Sequence, residues 1–341
     1  MTLRIGLIGA GGNTKLQHIP GFQAIDGVEV VAVCNRTTAS AQRVADEFNI
    51  PHVAESADEI INASDIDAVC VGTWPYMHHD LSIATLNAGK HILTEARMSM
   101  NLAEAREMLA VSEASDRVSM IVPSPFYLKY EPTVLKMLAD GFFGDILEVH
   151  VTALAGGYNP EAPLQWRQRR DLSGNNIMSM GIQNEAVRRY VGHEKSVMAH
   201  GKIFTTQRLD PETNKVTAVD VPESLSIIAG LESGGTVVYH VSMLAHLGSN
   251  AMEFFGTKAA FKYEGGKAFI ATNSDRSWEP LEVAPGQEGG WRVEQEFVDA
   301  ILNGSPVTHT SFADGVKYME FTEAVQISMR EARRVDLPIA T

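Results

Sequence analysis

The chain has 341 residues, 45% of them hydrophobic and 21% charged, with a formal net charge of −14. That length suits two domains and that balance suits a soluble globular protein. The acidic surface repels phosphate backbones and anionic lipid, so nucleic acid and membrane are not expected partners, and no apolar run reaches the roughly 20 residues of a membrane span.

The chain opens with the apolar run Leu3-Arg4-Ile5-Gly6-Leu7-Ile8, followed by Gly9-Ala10-Gly11-Gly12-Asn13-Thr14. A short apolar run bounded by glycine reads as a buried strand, and Lys15 to Ala24 reads as a helix. Because the first strand starts at once, no leader is expected and the protein is placed in the cytoplasm. Strands are expected at Val28–Cys34, Ala68–Val71, His91–Leu93 and Val118–Val122. Helices are expected at Ala39–Phe48, from Ala57 to Ile61, and over Met77–Ala88 and Leu102–Ser115. Short apolar strands alternating with helices describe a parallel sheet wound on both faces. Cys34 and Cys70 lie inside apolar runs and read as buried free thiols, not as a disulfide or zinc site.

After Pro123-Ser124-Pro125 the texture changes. A helix is expected over 127–139, a strand over 145–155, an irregular Gly, Pro, Trp and Arg-rich stretch over 156–171, and a helix over Ser173–Tyr190. Strand-like runs follow at 197–206, 224–231, 235–243, 250–255 and 259–263, with turn glycines between several of them. Two helices, Arg292–Asn303 and Phe312–Ala332, close the chain. The fold class is α/β, with residues 1–122 as a dinucleotide-binding domain of the doubly wound, Rossmann type. Residues 123–341 form a second α/β domain with a large open mixed or antiparallel sheet.

A strand, a glycine turn and a helix in succession form the context in which glycines cradle a diphosphate. Gly9 allows the tight turn, and Gly11 clears the helix N-terminus for a pyrophosphate. The third position of the G-x-G-x-x-G spacing is Thr14, so the match is partial. Gly12 and Asn13 complete the loop. An acidic residue ending the second strand would bind the adenosine ribose and suit NAD; this chain has Cys34-Asn35-Arg36-Thr37. Asn35 can bond a ribose hydroxyl, while Arg36 and Thr37 suit a 2′-phosphate, which favours NADP(H) over NAD(H). The segment Thr73-Trp74-Pro75-Tyr76-Met77-His78 ends the next strand and should border the cofactor. His78 and His79 lack a third ligand at metal spacing, so no metal is expected.

The glycine turn, the Thr73–His78 segment, the run Ala88-Gly89-Lys90-His91 and Glu95 stand in the order seen in the Gfo/Idh/MocA oxidoreductases, which the chain resembles over almost its full length. Gly141-Phe142-Phe143-Gly144-Asp145-Ile146, Glu253-Phe254-Phe255-Gly256-Thr257-Lys258 and Phe297-Val298-Asp299-Ala300-Ile301 extend the likeness. The resemblance implies a nicotinamide cofactor, with Glu95 near it, and a sugar, inositol or related polyol substrate. It also implies a homodimer or homotetramer built through the C-terminal sheet.

Two family motifs are altered. Where the family has Glu-Lys-Pro, with the lysine on cofactor and substrate, this chain reads Glu95-Ala96-Arg97; a guanidinium stays protonated and is a poor acid–base group. Where the family has Asp-x-Gly-x-His-x-x-Asp, it reads Ser179-Met180-Gly181-Ile182-Gln183-Asn184-Glu185-Ala186. Gln183 can hydrogen-bond but does not titrate, so the usual proton carriers are missing. Arg97, Lys129, Gln183 and Tyr127 are the candidate catalytic residues, with Lys129 and Tyr127 near the expected cleft. Trp166, Arg167 and Asn184 are the candidate substrate residues. Three functions remain open: an NAD(P)-dependent oxidoreductase with non-standard catalytic groups, a redox-neutral lyase, hydrolase or epimerase retaining a nicotinamide, and a non-catalytic dinucleotide or sugar sensor.

Overall fold

The computed structural model describes residues 2–125 and 128–339. In chain order the first elements are β1 (Leu3–Ile8), a π-turn over Thr14–His18, α1 (Ile19–Gln23), β2 (Val28–Cys34), α2 (Thr38–Phe48) and β3 (His52–Val53). Then come α3 (Ala57–Asn62), β4 (Ala68–Val71), α4 (His78–Asn87), β5 (His91–Thr94), α5 (Leu102–Glu113) and β6 (Ser119–Ile121). The strands form one parallel sheet in the order β3-β2-β1-β4-β5-β6. Order reverses between β1 and β4, the switch point at which such sheets bind ligands. Polar residues start the helices: Thr37, Ser56 and Asn101 accept the backbone N–H of Ser40, Glu59 and Glu104, satisfying donors that no helical carbonyl reaches. The turn over Thr14–His18 widens to π geometry, Ile19 N–H bonding Thr14 O. Pro20 follows directly, and a proline has no N–H to continue the α pattern back to Leu16.

The chain continues through α6 (Glu131–Ala139), β7 (Ile146–Leu154), α7 (Arg170–Ser173), α8 (Met180–Val191), β8 (Glu194–Lys202), β9 (Gln207–Asp210) and β10 (Lys215–Ala218). It ends through β11 (Ser224–Leu231), β12 (Thr236–Ser242), β13 (Asn250–Gly256), β14 (Ala259–Glu264), β15 (Lys267–Thr272), β16 (Glu279–Pro280), α9 (Val293–Asn303), α10 (Phe312–Glu331) and β17 (Val335–Asp336). Nine strands make a mixed sheet in the order β16-β15-β14-β13-β7-β12-β11-β8-β17, in which the β7–β12 pair is parallel. Its buried face carries the second core. Phe254 packs edge-on to Phe143 at 4.9 Å and stacks on Phe261 at 4.8 Å, with Tyr190 beside both Phe254 and Phe261.

The chain divides into two compact units, residues through Pro123 with Arg292–Met319, and Ser124–Trp291 with residues from Glu320 onward. This corrects the boundary expected from sequence, which puts everything after residue 122 in the second domain: α9 and the first part of α10 pack with the first unit. Phe297 of α9 meets Phe22 edge-on at 6.4 Å, and Tyr318 Oη accepts the N–H of Met98 at 2.5 Å. A return of the chain to its first unit leaves no local periodicity to read.

The helix expected over Ser173–Tyr190 is broken. Gly174 adopts φ +64, ending α7, and α8 starts only at Met180. The run expected over 197–206 ends at Lys202, and the hairpin β9–β10 and strand β15 were not anticipated. Truncating Phe254 to alanine should destabilise the second unit by about 3–5 kcal/mol, measured as a shift in its denaturant midpoint; a change below about 1 kcal/mol would show that the aromatic cluster is not its packing centre.

Candidate functional site

The first unit has a cavity of about 530 Å³ at the C-terminal ends of β1, β2 and β4, lined among others by Gly9, Gly11, Asn35, Arg36, Thr73 and Trp74. Six residues assigned to a cofactor from sequence thus border one space. Backbone contact builds it. Gly9 N–H donates to Cys34 O and Gly72 N–H to Ile8 O, each at 2.8 Å. Gly9 has φ +87, a conformation that favours glycine. A Cβ on Gly72 would lie 2.2 Å from both Gly9 O and Thr14 Oγ1. Thr14 itself donates to Gly9 O at 3.2 Å. The missing third glycine of the loop is therefore offset from across the sheet, where Gly72 leaves the room that Thr14 occupies.

The loop also fits a bound diphosphate. A Cβ at Gly12 would meet nothing within 4 Å, and one at Gly11 only Gly72 O at 3.7 Å, so there is room beside the backbone at the helix start, where anions bind. Asn35 Oδ1 accepts the N–H of Ala10 at 2.7 Å, making it a brace of the loop as well as a wall of the cavity. Thr37 is not among the lining residues; it caps α2 and bonds Ser40. His78 is fully buried, its ring nitrogens at 2.8 Å from Arg97 O and 3.1 Å from Thr73 O. It ties the Thr73 and Arg97 backbones together and is held below the ordinary histidine range by burial, against the hydrogen bonds to those carbonyls.

Glu95 ends β5, one strand from Gly72. Its Oε1 accepts Asn13 Nδ2 at 2.6 Å and His18 Nε2 at 3.1 Å, while His18 Nδ1 lies 2.5 Å from Glu294 Oε1. Both ring nitrogens face carboxylates, which accept, so the ring carries both protons. Burial alone would lower its pKa, but the hydrogen bonds and charges of Glu294 and Glu95 outweigh burial and raise it to about 9. Burial likewise works to raise Glu95, and His18 and Asn13 overcome it and hold the carboxyl below its usual range. Sequence reasoning missed His18 and Glu294. No local signal pointed to them, since they lie 276 positions apart; Gly21, where a Cβ would sit 2.7 Å from the Glu294 carboxylate, leaves room for their contact. Arg97 follows Glu95 closely and is buried. Among the described residues, no group of three or more His, Cys, Asp or Glu could hold a metal ion, and no helix is long and apolar enough to cross a membrane.

In the second unit, Gln183 and Asn184 lie on α8 and are fully buried. Asn184 Nδ2 donates to Glu194 Oε1 at 2.6 Å and to Tyr239 Oη at 3.2 Å, and Tyr239 donates to Glu194 at 2.6 Å. The amide expected on substrate is engaged in this core. Lys129 is exposed, its ammonium 5.3 Å from the Tyr130 ring centre. Tyr127 lies outside the described residues. The exposed Arg167 stacks over Trp166 at 4.2 Å, and the segment around them is braced by a pair that sequence did not flag. Arg208 donates to Asn159 O, Ala162 O and the buried Glu223, which also accepts Gln168.

Substitution Gly72→Ala should cost about 1–3 kcal/mol through overpacking against Gly9 and Thr14, read from thermal unfolding; an unchanged melting temperature would contradict the close apposition. His18 gives a pH test. Its folded pKa lies above its unfolded value near 6.5, so the stability that it contributes is complete below about pH 6.5 and lost as pH rises through about 9. The melting temperature should fall over that window, and His18→Gln should flatten the fall.

Residues 3–122 match the model of the oxidoreductase family with an NAD-binding Rossmann fold, and residues 133–262 match the GFO/IDH/MocA C-terminal domain. The chain is 23% identical over 265 residues to an uncharacterized oxidoreductase of Synechocystis sp., covering 76% of this chain and 70% of that protein. It is 29% identical over 154 residues to a glycosyl hydrolase family 109 protein of Shewanella sp., covering 42% of this chain and 33% of that protein. Its fold is similar to that of a levoglucosan dehydrogenase solved with NADH and L-sorbose, with a TM-score of 0.89, 22% identity and 99% of each chain covered. With both halves matched, the glycine cradle and the two sheets are those of an NAD(P)-binding oxidoreductase, and the chain belongs to the Gfo/Idh/MocA family.

Proposed function

We propose that the protein is an NAD(P)-dependent dehydrogenase of a sugar, inositol or related polyol, with NADP(H) favoured over NAD(H). The observation that carries this reading is the cavity at the β1–β4 switch point, walled by the glycine turn on one side and by Asn35 and Arg36 on the other. The Gly11 and Gly12 region would hold the diphosphate, and Arg36, with Ser40 beside it, would hold a 2′-phosphate. The nicotinamide, when bound, supplies hydride acceptance and donation. Arg97 keeps its positive charge through any turnover, so its part is to orient a hydroxyl or anionic group, not to take its proton. Lys129 and Tyr127 are the members of this set whose side chains are able to give up a proton and take it back. Trp166 and Arg167 pair an aromatic face with a guanidinium, a combination suited to sugars and anions.

Levoglucosan dehydrogenase as a structural neighbour supports a sugar substrate. The likeness to a glycosyl hydrolase favours a second reading, redox-neutral chemistry on a sugar with a retained nicotinamide. Purified protein should bind NADPH more tightly than NADH in a fluorescence titration and change nicotinamide absorbance with members of a sugar and polyol panel. Cofactor that copurifies, resists dialysis and gives no net absorbance change would favour the redox-neutral reading; binding without turnover of any kind would leave a sensor. Lys129→Ala should lower kcat by about a hundredfold if Lys129 moves the proton, and an unchanged kcat removes it from that role.

A homodimer or homotetramer through the C-terminal sheet is part of the same proposal. Met198, Ile228 and Val238 stand side by side in register on β8, β11 and β12, all exposed. An apolar row across an open sheet face suits a second copy of the chain. Ile228→Lys should shift the protein to monomer in sedimentation at micromolar concentration; an unchanged oligomer, or a monomeric wild type, would reject that interface.

A further inference from the structure

The geometry points to His18 as a positioning residue: clamped by Glu294, it orients the Glu95 carboxylate at the end of β5 as a hydroxyl acceptor for the bound dinucleotide. This inference rests on the dinucleotide reading above. Four groups form the arrangement, each from a different element of the first unit. Glu294 comes from α9, His18 from the turn preceding α1, Glu95 from the end of β5, and Asn13 from the glycine loop. Gly21 has no side chain to hold Glu294 away. His18 is fully buried, whereas the Glu95 side chain keeps 15% of its surface exposed. His18 therefore cannot meet the ligand, and Glu95 can. A carboxylate with one oxygen occupied by an imidazolium and an amide has a fixed direction, and fixed direction is what a hydroxyl hydrogen bond needs.

The charges around His18 set its pH range. Glu95 and Glu294 face it from β5 and α9. Cys70 on β4 feels both carboxylates and is pushed well above the ordinary thiol range by burial and by them, so it stays neutral. His78 on α4 feels Glu95 and Arg97, and its burial holds it below the ordinary histidine range. Deprotonating His18 would leave Glu95 and Glu294 without the cation between them, and the orientation of Glu95 would be lost.

The test is NADPH and NADH affinity, read by nicotinamide fluorescence between pH 7 and 10, with folding checked by circular dichroism at each pH. Wild-type affinity should fall about tenfold or more as pH rises through about 9. Glu294→Gln should move that midpoint down by about a unit or more, since one stabilising carboxylate charge is gone. His18→Gln and Glu95→Gln should each weaken binding and flatten the profile, and the double variant should be no weaker than Glu95→Gln alone. A folded wild type that binds with constant affinity through pH 10, or additive losses in the double variant, would overturn the positioning role while leaving the dinucleotide reading intact. The pH profile of the wild type decides the matter even if a variant fails to fold. No saturable binding of either nucleotide by the wild type would overturn the dinucleotide reading itself and, with it, this inference.

Discussion

Everything in the first unit depends on how closely two backbone turns approach each other. Gly9 leaves β1 with φ +87 and Gly72 leaves β4 where any Cβ would strike Gly9 O and Thr14 Oγ1. That contact lets β1 and β4 end side by side at the sheet's reversal point, with no side chains filling the gap above them. The cavity and the brace from Asn35 to Ala10 both follow from it. Tight packing transmits such a requirement: one methyl group at residue 72 has nowhere to go, so the loop would have to move.

The charges at the end of β5 show what the chain retains and what it has replaced. The motif lysine is Ala96, and the histidine and aspartates of the α8 motif are Gln183, Ser179 and Ala186. These changes remove titrating groups from the positions that usually move a proton. Glu95 remains ionised beside a buried imidazolium, and His78 ties the Thr73 and Arg97 backbones together. Charges fixed by such hydrogen bonds hold their directions without reorganisation.

The parallel sheet was legible because its strands are short, apolar and separated by capped helices. Gly9, Gly11 and Arg36, read from sequence as parts of one site, do line one cavity. Features that depend on distant residues were not legible. Thr14 looked like a defect in the glycine pattern until Gly72, which follows β4, stood opposite it. His18 looked like one polar residue in a helix because its partner Glu294 lies 276 positions away. Asn184 sat in a motif and pointed to substrate by its position, whereas its amide serves Glu194 and Tyr239 in the second core. Gly174 broke a helix whose periodicity ran on past it.

A crystal structure of the protein with NADPH tests the central claim most directly. The diphosphate should lie within hydrogen-bond reach of the backbone N–H groups around Gly11 and Gly12, with the 2′-phosphate against Arg36. A dinucleotide seated elsewhere, with the space between Gly9 and Trp74 holding only solvent, would contradict it.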